Sequence, residues 1–472
     1  MVTGFLLFLR GVTAVNRLIV KCLLTVVLSV VAISPAMADS LRLATFQIDV
    51  TPPLGTALCD GLVPDGVKVD DPLYARGIVI LGAGEPIVLC AVDFVGIGNG
   101  GHDAWRAAVA EGAGTTPSRV AVQSLHQHDA PGCDLEAEEM LAPLGLSGKS
   151  CDVPFSRAAL KRLTAAIKES LASARPFTHV GIGAAKADRV ASNRRILGDD
   201  GKVKIIRFSS TKEPEAIAAP EGVIDPEVKT ISFWNQDKPL VAVTYYATHP
   251  QSHYGKGAIS ADFVGLARAV RDREQKDVFH IHFNGASGNI AAGKYNDGSP
   301  QARLELTERL AAGMTQSFQN TKRTPVTSAD VEWHIEPVTF PLSDRLKKLD
   351  DSEKVLTNQG AMVSERVRAA RDIVYAKRVT SGRKIELSSL RVGPAVVLNL
   401  PGETFIEYQL AAQKMRPDQF ICTAAYGDYG PGYIGTTIAY SQGGYETSRV
   451  SRTAPEVEEV YLTAIRKVLN AK

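Results

Sequence analysis

The stretch SLHQHDAPG (residues 124–132) sets two of the chain's nine histidines one residue apart, after the strand-like run RVAVQ and before a Pro-Gly turn. In extended backbone, side chains at i and i+2 share a face about 6–7 Å apart, so His126 and His128 would look into one pocket. Converging imidazoles suit a metal bound at about 2.0–2.1 Å, or one ligand beside one acid/base group. Two hydrogen-bonded loop histidines are the plainer alternative. YYATHPQSHY (residues 245–254) repeats the situation, with His249 ending the apolar run LVAVTYY beside a proline that stops the strand. VFHIHFNGASGN (residues 278–289) repeats the H-x-H spacing at His280 and His282 in mid-strand, where a core or sheet-surface place is expected. Its turn GASGN nearly fits the nucleophile elbow G-x-S-x-G, with Asn289 where the last glycine belongs. A serine hydrolase using Ser287 with His253 or His282 is therefore an alternative. In LNLPGETF (residues 398–405) Glu403 is expected to open a helix, whose dipole favours an ionised carboxylate, as a cap or as a metal ligand. AAYGDYGPGYIGTTIAYSQGGYETS (residues 424–448) interleaves five tyrosines with glycine and must line a loop. Phenols there pack, ligate a metal or donate to an oxyanion.

These residues sit at the ends of strand-like runs. Such runs are LRLATFQI, ARGIVIL, PIVLCAV, RVAVQ, THVGIGAA, VKIIRF, KTISFW, LVAVTYY, VFHIHF, KIELSSLRV and AVVLNL. Between them lie helical patterns at HDAWRAAVA, SRAALKRLTAAIKESLASA, FVGLARAVRDR, ARLELTERLAAGMTQSF, ETFIEYQLAAQK and EVEEVYLTAIRKVL. The alternation predicts an α/β fold, a single large domain with buried central sheets flanked by helices. No internal repeat is visible. SDRLKKLDDSEKVLTNQG (residues 343–360) reads as a charged surface insertion. GIGNGG (residues 96–101) follows a strand and matches G-x-G-x-x-G, but no acidic residue ends the next strand, where SLHQHD stands instead. A dinucleotide site is excluded and the glycines read as a loop.

Residues 1–38 read as a secretory signal peptide: Arg10, Arg17 and Lys21 precede the apolar run CLLTVVLSVVAIS, and Ala36-Met37-Ala38 gives an A-x-A cleavage pattern. The remainder, residues 39–472, is expected to be periplasmic or secreted, with no stable membrane anchor. The segment holds three of the 53 Lys+Arg and none of the 51 Asp+Glu, so the mature chain is close to neutral and shows no basic tract for nucleic acid. Of six cysteines, Cys22 lies in the signal, and Cys133 and Cys151, bracketing a short polar excursion, are the expected disulfide pair.

Taken together the motifs resemble the catalytic domain of the neutral ceramidase family. SLHQHDAPG is similar to that family's H-T-H-S-G-P-G segment, YYATHP to its second histidine segment, and NLPGETF to P-G-E-F-T. The tyrosine loop is similar to Y-V-T-T…Y-E, with the twelve-residue spacing from Tyr433 to Tyr445 kept. SNRR at residues 192–195 resembles N-R-S, and IDVTPP at residue 48 resembles D-I-T-P. The resemblance implies a zinc ion held by His126, His249, Glu403 and Tyr433, with His128 handling protons and Arg194 and Tyr445 holding the scissile carbonyl. It implies an exported zinc-dependent amidohydrolase in which zinc-activated water attacks an N-acyl bond of ceramide or a related small N-acyl or lipid substrate. Three departures are read: Ala291 where the family's G-N-L-S-P-N turn has serine, Asp129 beside His128, and, as an expectation, no immunoglobulin-like C-terminal domain. Asp129 is expected to raise the proton affinity of His128. A non-catalytic metal-binding homologue is the further alternative, favoured by Ala291.

Overall fold

A computed structural model describes residues 40–470; the signal segment read from residues 1–38 lies outside them. Three sheets carry the architecture. The first orders its strands Val120–Ser124, Ile87–Val92, Tyr74–Leu81, Arg42–Asp49 and Arg175–Pro176. The second orders Phe279–Asn284, Lys238–Tyr246, Glu227–Asn235, His179–Lys186 and Lys322–Pro325. The third has four strands, Val331–Val338, Ile385–Val392, Ala395–Asn399 and Phe420–Ala424. Ile78, Leu89, Ile231, Val243, Ile281, Leu390 and Val397, drawn from all three, meet in one apolar core. Helices cover the outer faces: Gly100–Ala113 and Val153–Ser170 bury Trp105, Val109, Leu163 and Ile167 against the first sheet. Asp262–Glu274 and Pro300–Gln319 cover the second, and Ile406–Met415 and Val457–Val468 the third.

The three sheets repeat one topology although the sequence carries no repeat. In each, three consecutive strands pair antiparallel, then a helix crosses over to a fourth strand lying parallel to the third. The parallel pairs are Ile87–Val92 with Val120–Ser124, Lys238–Tyr246 with Phe279–Asn284, and Ala395–Asn399 with Phe420–Ala424. Such crossovers leave parallel strands buried on both faces, which is why IVLCAV is uniformly apolar and fully buried. The carboxyl ends of the parallel strands face one another, where the Ser124 amide donates to the Tyr426 carbonyl (2.9 Å) and the Ala425 amide to Asn284 (2.9 Å).

The α/β class expected from the sequence is observed, as are all the strand and helix runs given above. Val331–Val338, Phe420–Ala424 and the helix Val363–Thr380 are not foreseen by those runs. Residues 343–360 form two short, largely exposed helices, Asp344–Lys347 and Asp350–Thr357. The third helix, Val363–Thr380, looks soluble in its charge pattern. It is nevertheless buried along much of its length, because Arg366 bonds the Leu356 carbonyl and Arg371 pairs with Asp60.

Glu403 departs from the sequence expectation. It does not open a helix; the helix starts at Ile406, and Glu403–Thr404 forms a short parallel pair with Tyr433–Ile434 that sets Glu403 directly opposite Tyr433. Among the described residues no helix is long and apolar enough to cross a membrane.

Candidate active site

His126 lies two residues beyond the end of its strand and has φ +70°, so the two histidines of SLHQHDAPG are not brought together by the pleat of a strand. A left-handed turn does it, leaving the two Nε2 atoms 3.3 Å apart. Left-handed backbone at a non-glycine residue carries strain that surrounding contacts must hold. Here the His126 Nδ1–H donates to the Val95 carbonyl (2.5 Å) and the ring stacks on Tyr426, centroids 4.5 Å apart, itself left-handed at φ +63°. The glycine loop read from GIGNGG supports that wall. A side chain at Gly96 would run into the Tyr429 ring, so glycine is what permits the tyrosine loop to approach.

His249 follows the strand Lys238–Tyr246, and its Nδ1–H donates to the carbonyls of Ser287 (2.7 Å) and Ile290 (2.9 Å). With both Nδ1 atoms used as donors, the Nε2 atoms of His126 and His249 are the nitrogens left to face the cluster. Both point at one oxygen, Glu403 Oε2, at 3.3 and 3.1 Å, and the Tyr433 hydroxyl stands 3.4 Å from His249 Nε2. Burial and the Arg194 charge hold the His249 imidazole down to about 3. Burial pushes the Glu403 carboxyl upward, but the His126 and His249 rings outweigh it and hold Glu403 well below the usual carboxylate range. Two imidazole nitrogens and a carboxylate oxygen therefore converge on one point, where a shared cation would be held by all three. Ligand atoms about 2.0–2.2 Å from a tetrahedral zinc stand roughly 3.3 Å from one another, which these separations match. The donor set thus fits a zinc-type ion.

His128 is the third imidazole of the cluster, all three offering a nitrogen within 4.8 Å of the others. Burial, and then His126 and His249, push it well below the usual imidazole range, so it is neutral. The effect expected from Asp129 is absent. The Asp129 carboxylate turns away, accepting from the Gly255 amide (2.9 Å) and facing Arg303 at 3.6 Å, and it ties the HPQSHYG loop in place.

Arg194 is fully buried and has no carboxylate partner among the described residues. It donates from Nη1 to the hydroxyls of Tyr445 and of Tyr433 (3.2 Å), and from Nη2 to Gln251 Oε1 (3.0 Å). Because a guanidinium only donates, each phenol oxygen is an acceptor toward it. The two hydroxyls lie 3.3 Å apart, so one can donate to the other while at least one phenolic proton stays available for a bound oxygen. Burial pushes the Tyr445 phenol up to about 12, which keeps it protonated. All seven residues singled out from the sequence, His126, His128, His249, Arg194, Glu403, Tyr433 and Tyr445, come together here. All but the fully enclosed His249 line one cavity of about 340 Å³.

The cavity also holds residues the motifs did not mark. Cys59 lies 3.3 Å from His128 Nδ1. Gln251 receives Arg194 and the Ser209 hydroxyl on Oε1, which orients its amide nitrogen toward His128, 2.7 Å from Nδ1 and also crowding Nε2. Tyr429 donates to Glu403 Oε1 (2.6 Å). Gln251, inside HPQSHY, and Tyr429, in the tyrosine loop, lay in segments the sequence marked; Cys59 did not.

Ser287 is buried with its hydroxyl on Tyr426 (2.7 Å), His282 Nδ1 bonds Thr244, and His253 Nδ1 bonds the Gly298 carbonyl. No imidazole serves Ser287, so the arrangement expected of a serine hydrolase is not present. Cys133 and Cys151 are neighbours, their sulfurs 3.0 Å apart, and both are free thiols here rather than the expected disulfide.

Fold and site define an α/β protein whose imidazole–carboxylate centre lies where the parallel strands of three sheets end. No protein-family model and no curated protein sequence matches the chain. Solved structures do. A neutral ceramidase from Pseudomonas aeruginosa aligns with TM-score 0.68 and 17% identity, over 91% of this chain and 74% of that one. A ceramidase complexed with C2 aligns with TM-score 0.65 and 15% identity, over 91% and 75%. The chain has the neutral ceramidase fold, as the order of its motifs led us to expect.

Proposed function

We propose that this protein is a metal-dependent amidohydrolase cleaving an N-acyl bond, in ceramide or a related N-acyl compound, and that His126, His249, Glu403 and Tyr433 hold its zinc. The observation that carries the reading is the convergence of two imidazole nitrogens and a carboxylate oxygen beside a buried arginine bonded to two phenols. Imidazole, carboxylate and phenol together suit zinc. A bound zinc supplies a Lewis acid and a water acidified toward neutrality.

The chain's own groups do the rest. Arg194, with Tyr445 and Tyr433, presents donors to the carbonyl oxygen as negative charge develops on it. Gln251 holds the His128 ring through its amide nitrogen, 2.7 Å from Nδ1 and closer still to Nε2. Being neutral, His128 can take the proton of the attacking water and pass it to the leaving amine. Tyr429, donating to Glu403 Oε1, fixes the carboxylate.

Metal analysis of the purified protein should give one zinc per chain, with loss of both metal and hydrolysis of N-acyl substrates in His249→Ala. Full activity after exhaustive chelation sinks the reading, and a complete absence of hydrolysis by the zinc-loaded protein favours a non-catalytic metal binder. We further read residues 1–38 as an export signal; protein recovered from the periplasm or medium should begin near Asp39.

A further inference from the structure

We propose that the substrate's amine half bears a carboxylate, an N-acyl amino acid being the simplest such compound, and that Arg368 receives it. This rests on the amidohydrolase reading above.

The helix Val363–Thr380 gives the cavity one wall, through Ser364, Val367, Arg368 and Arg371. Their i, i+3, i+4, i+7 spacing is one stripe of a helix. Four arginines line the cavity against two carboxylates, Asp60 and Glu403, so it is cationic even without a metal ion. Three of the four are committed: Arg371 pairs with Asp60, Arg452 pairs with Asp372, and Arg194 is spent on Tyr433, Tyr445 and Gln251. Arg368 is partly buried, faces the same space, and has no hydrogen-bond or ion-pair partner among the described residues. A guanidinium left so, on a concave surface, is matched by an ionised carboxylate with which it makes paired, charge-assisted hydrogen bonds.

The geometry says which half of the substrate carries that group. His128, placed to protonate the leaving amine, abuts Cys59, and the next residue, Asp60, is bonded to Arg371, less than one helical turn from Arg368. The amine half therefore faces the helix. Tyr445, one of the carbonyl's donors, stacks on Phe208 at 5.6 Å, and Phe208, which also lines the cavity, is 54% exposed. The acyl chain lies along that apolar ring. A cavity of about 340 Å³ is at the small end of ligand sites, a size that suits a single-chain acyl compound.

Binding tests this apart from turnover. The probes are the ketomethylene analogue of N-lauroylglycine, which has no scissile amide, and the methyl ester of that analogue, titrated calorimetrically into zinc-loaded protein. The wild type should bind the acid at least about tenfold tighter than the ester, the low end for a charge-assisted hydrogen bond. Arg368→Ala should bring the ratio to near one with the ester's affinity unchanged, Arg368→Lys should keep part of the preference, and high salt should shrink it. Equal binding of acid and ester by the wild type, or a preference that persists in Arg368→Ala, overturns the proposal. Hydrolysis assays run in parallel separate the two readings. Turnover of a neutral N-acyl amine without an acid preference in binding removes only this inference, whereas no turnover of any amide removes the amidohydrolase reading and leaves the carboxylate site to stand or fall on the affinity ratio.

Discussion

Glu403 and the imidazoles of His126 and His249 converge on one point, where a cation would be held by all three. Tyr433→Phe keeps the ring and removes the hydroxyl beside His249 Nε2, so zinc should be retained with weakened affinity while kcat falls more than tenfold, because an oxyanion donor is lost with it. Zinc titration and steady-state kinetics on one preparation check both. Asp129 offers a prediction about pH. Burial pushes its carboxyl up to about 6, above the roughly 3.9 of an unfolded chain. The folded state then binds the extra proton between these values, so this residue's contribution falls as pH rises through that window and is lowest above pH 6, by about 3 kcal/mol. Asp129→Asn keeps an acceptor for the Gly255 amide and cannot titrate. Its melting temperature relative to wild type should therefore rise from pH 4 to pH 7.5; a constant difference would show that the carboxylate is not strained by burial. At this scale the sequence told much, because motif order named the seven site residues. It misled about Asp129 and Glu403, whose neighbours in sequence are not their neighbours in space.

Secondary-structure elements decide whether those residues meet. The turn that follows Phe279–Asn284 approaches the Glu403 strand so closely that a Cβ on Gly288 would overlap the Glu403 carbonyl oxygen. Gly288→Ala should displace Glu403, lowering zinc content well below that of wild type while far-ultraviolet dichroism stays native. Unchanged zinc in a folded variant would show that the segment can give way. Cys133, in the short strand Gly132–Cys133, meets Cys151 just before the helix Val153–Ser170. Under oxidising conditions peptide mapping should find the two linked, with reductant then lowering stability by about 3 kcal/mol, the loop-closure value for a loop of this length. Cys133→Ala should be insensitive to reductant. Uniformly apolar runs such as IVLCAV were legible as strands from composition alone. The helix Val363–Thr380 was not, since its arginines interrupt the apolar pattern and are buried through partners such as Asp60, some three hundred residues away.

At the scale of the whole molecule the site is a junction. His126 comes from the first sheet, His249 from the second, and Glu403 and Tyr433 from the third and the loop beyond it. Zinc should therefore stabilise the whole unit, raising the melting temperature in one transition, by about 4 kcal/mol at a thousandfold excess over Kd. Separate transitions with only one responding to metal would mean that the three sheets are not held together through the site. By itself the sequence determined the α/β alternation and the strand ends at which candidate groups stand, because these follow from local periodicity and residue type; the candidate site residues came from the order of motifs it shares with the ceramidases. Only the tertiary structure decided that three sheets share one topology, that His126 turns through left-handed backbone, and that Glu403 pairs with the Tyr433 strand. It also placed an unforeseen helix and its Arg368 against the site. Each of those depends on contacts between segments far apart in the chain, and no local pattern of residues encodes them.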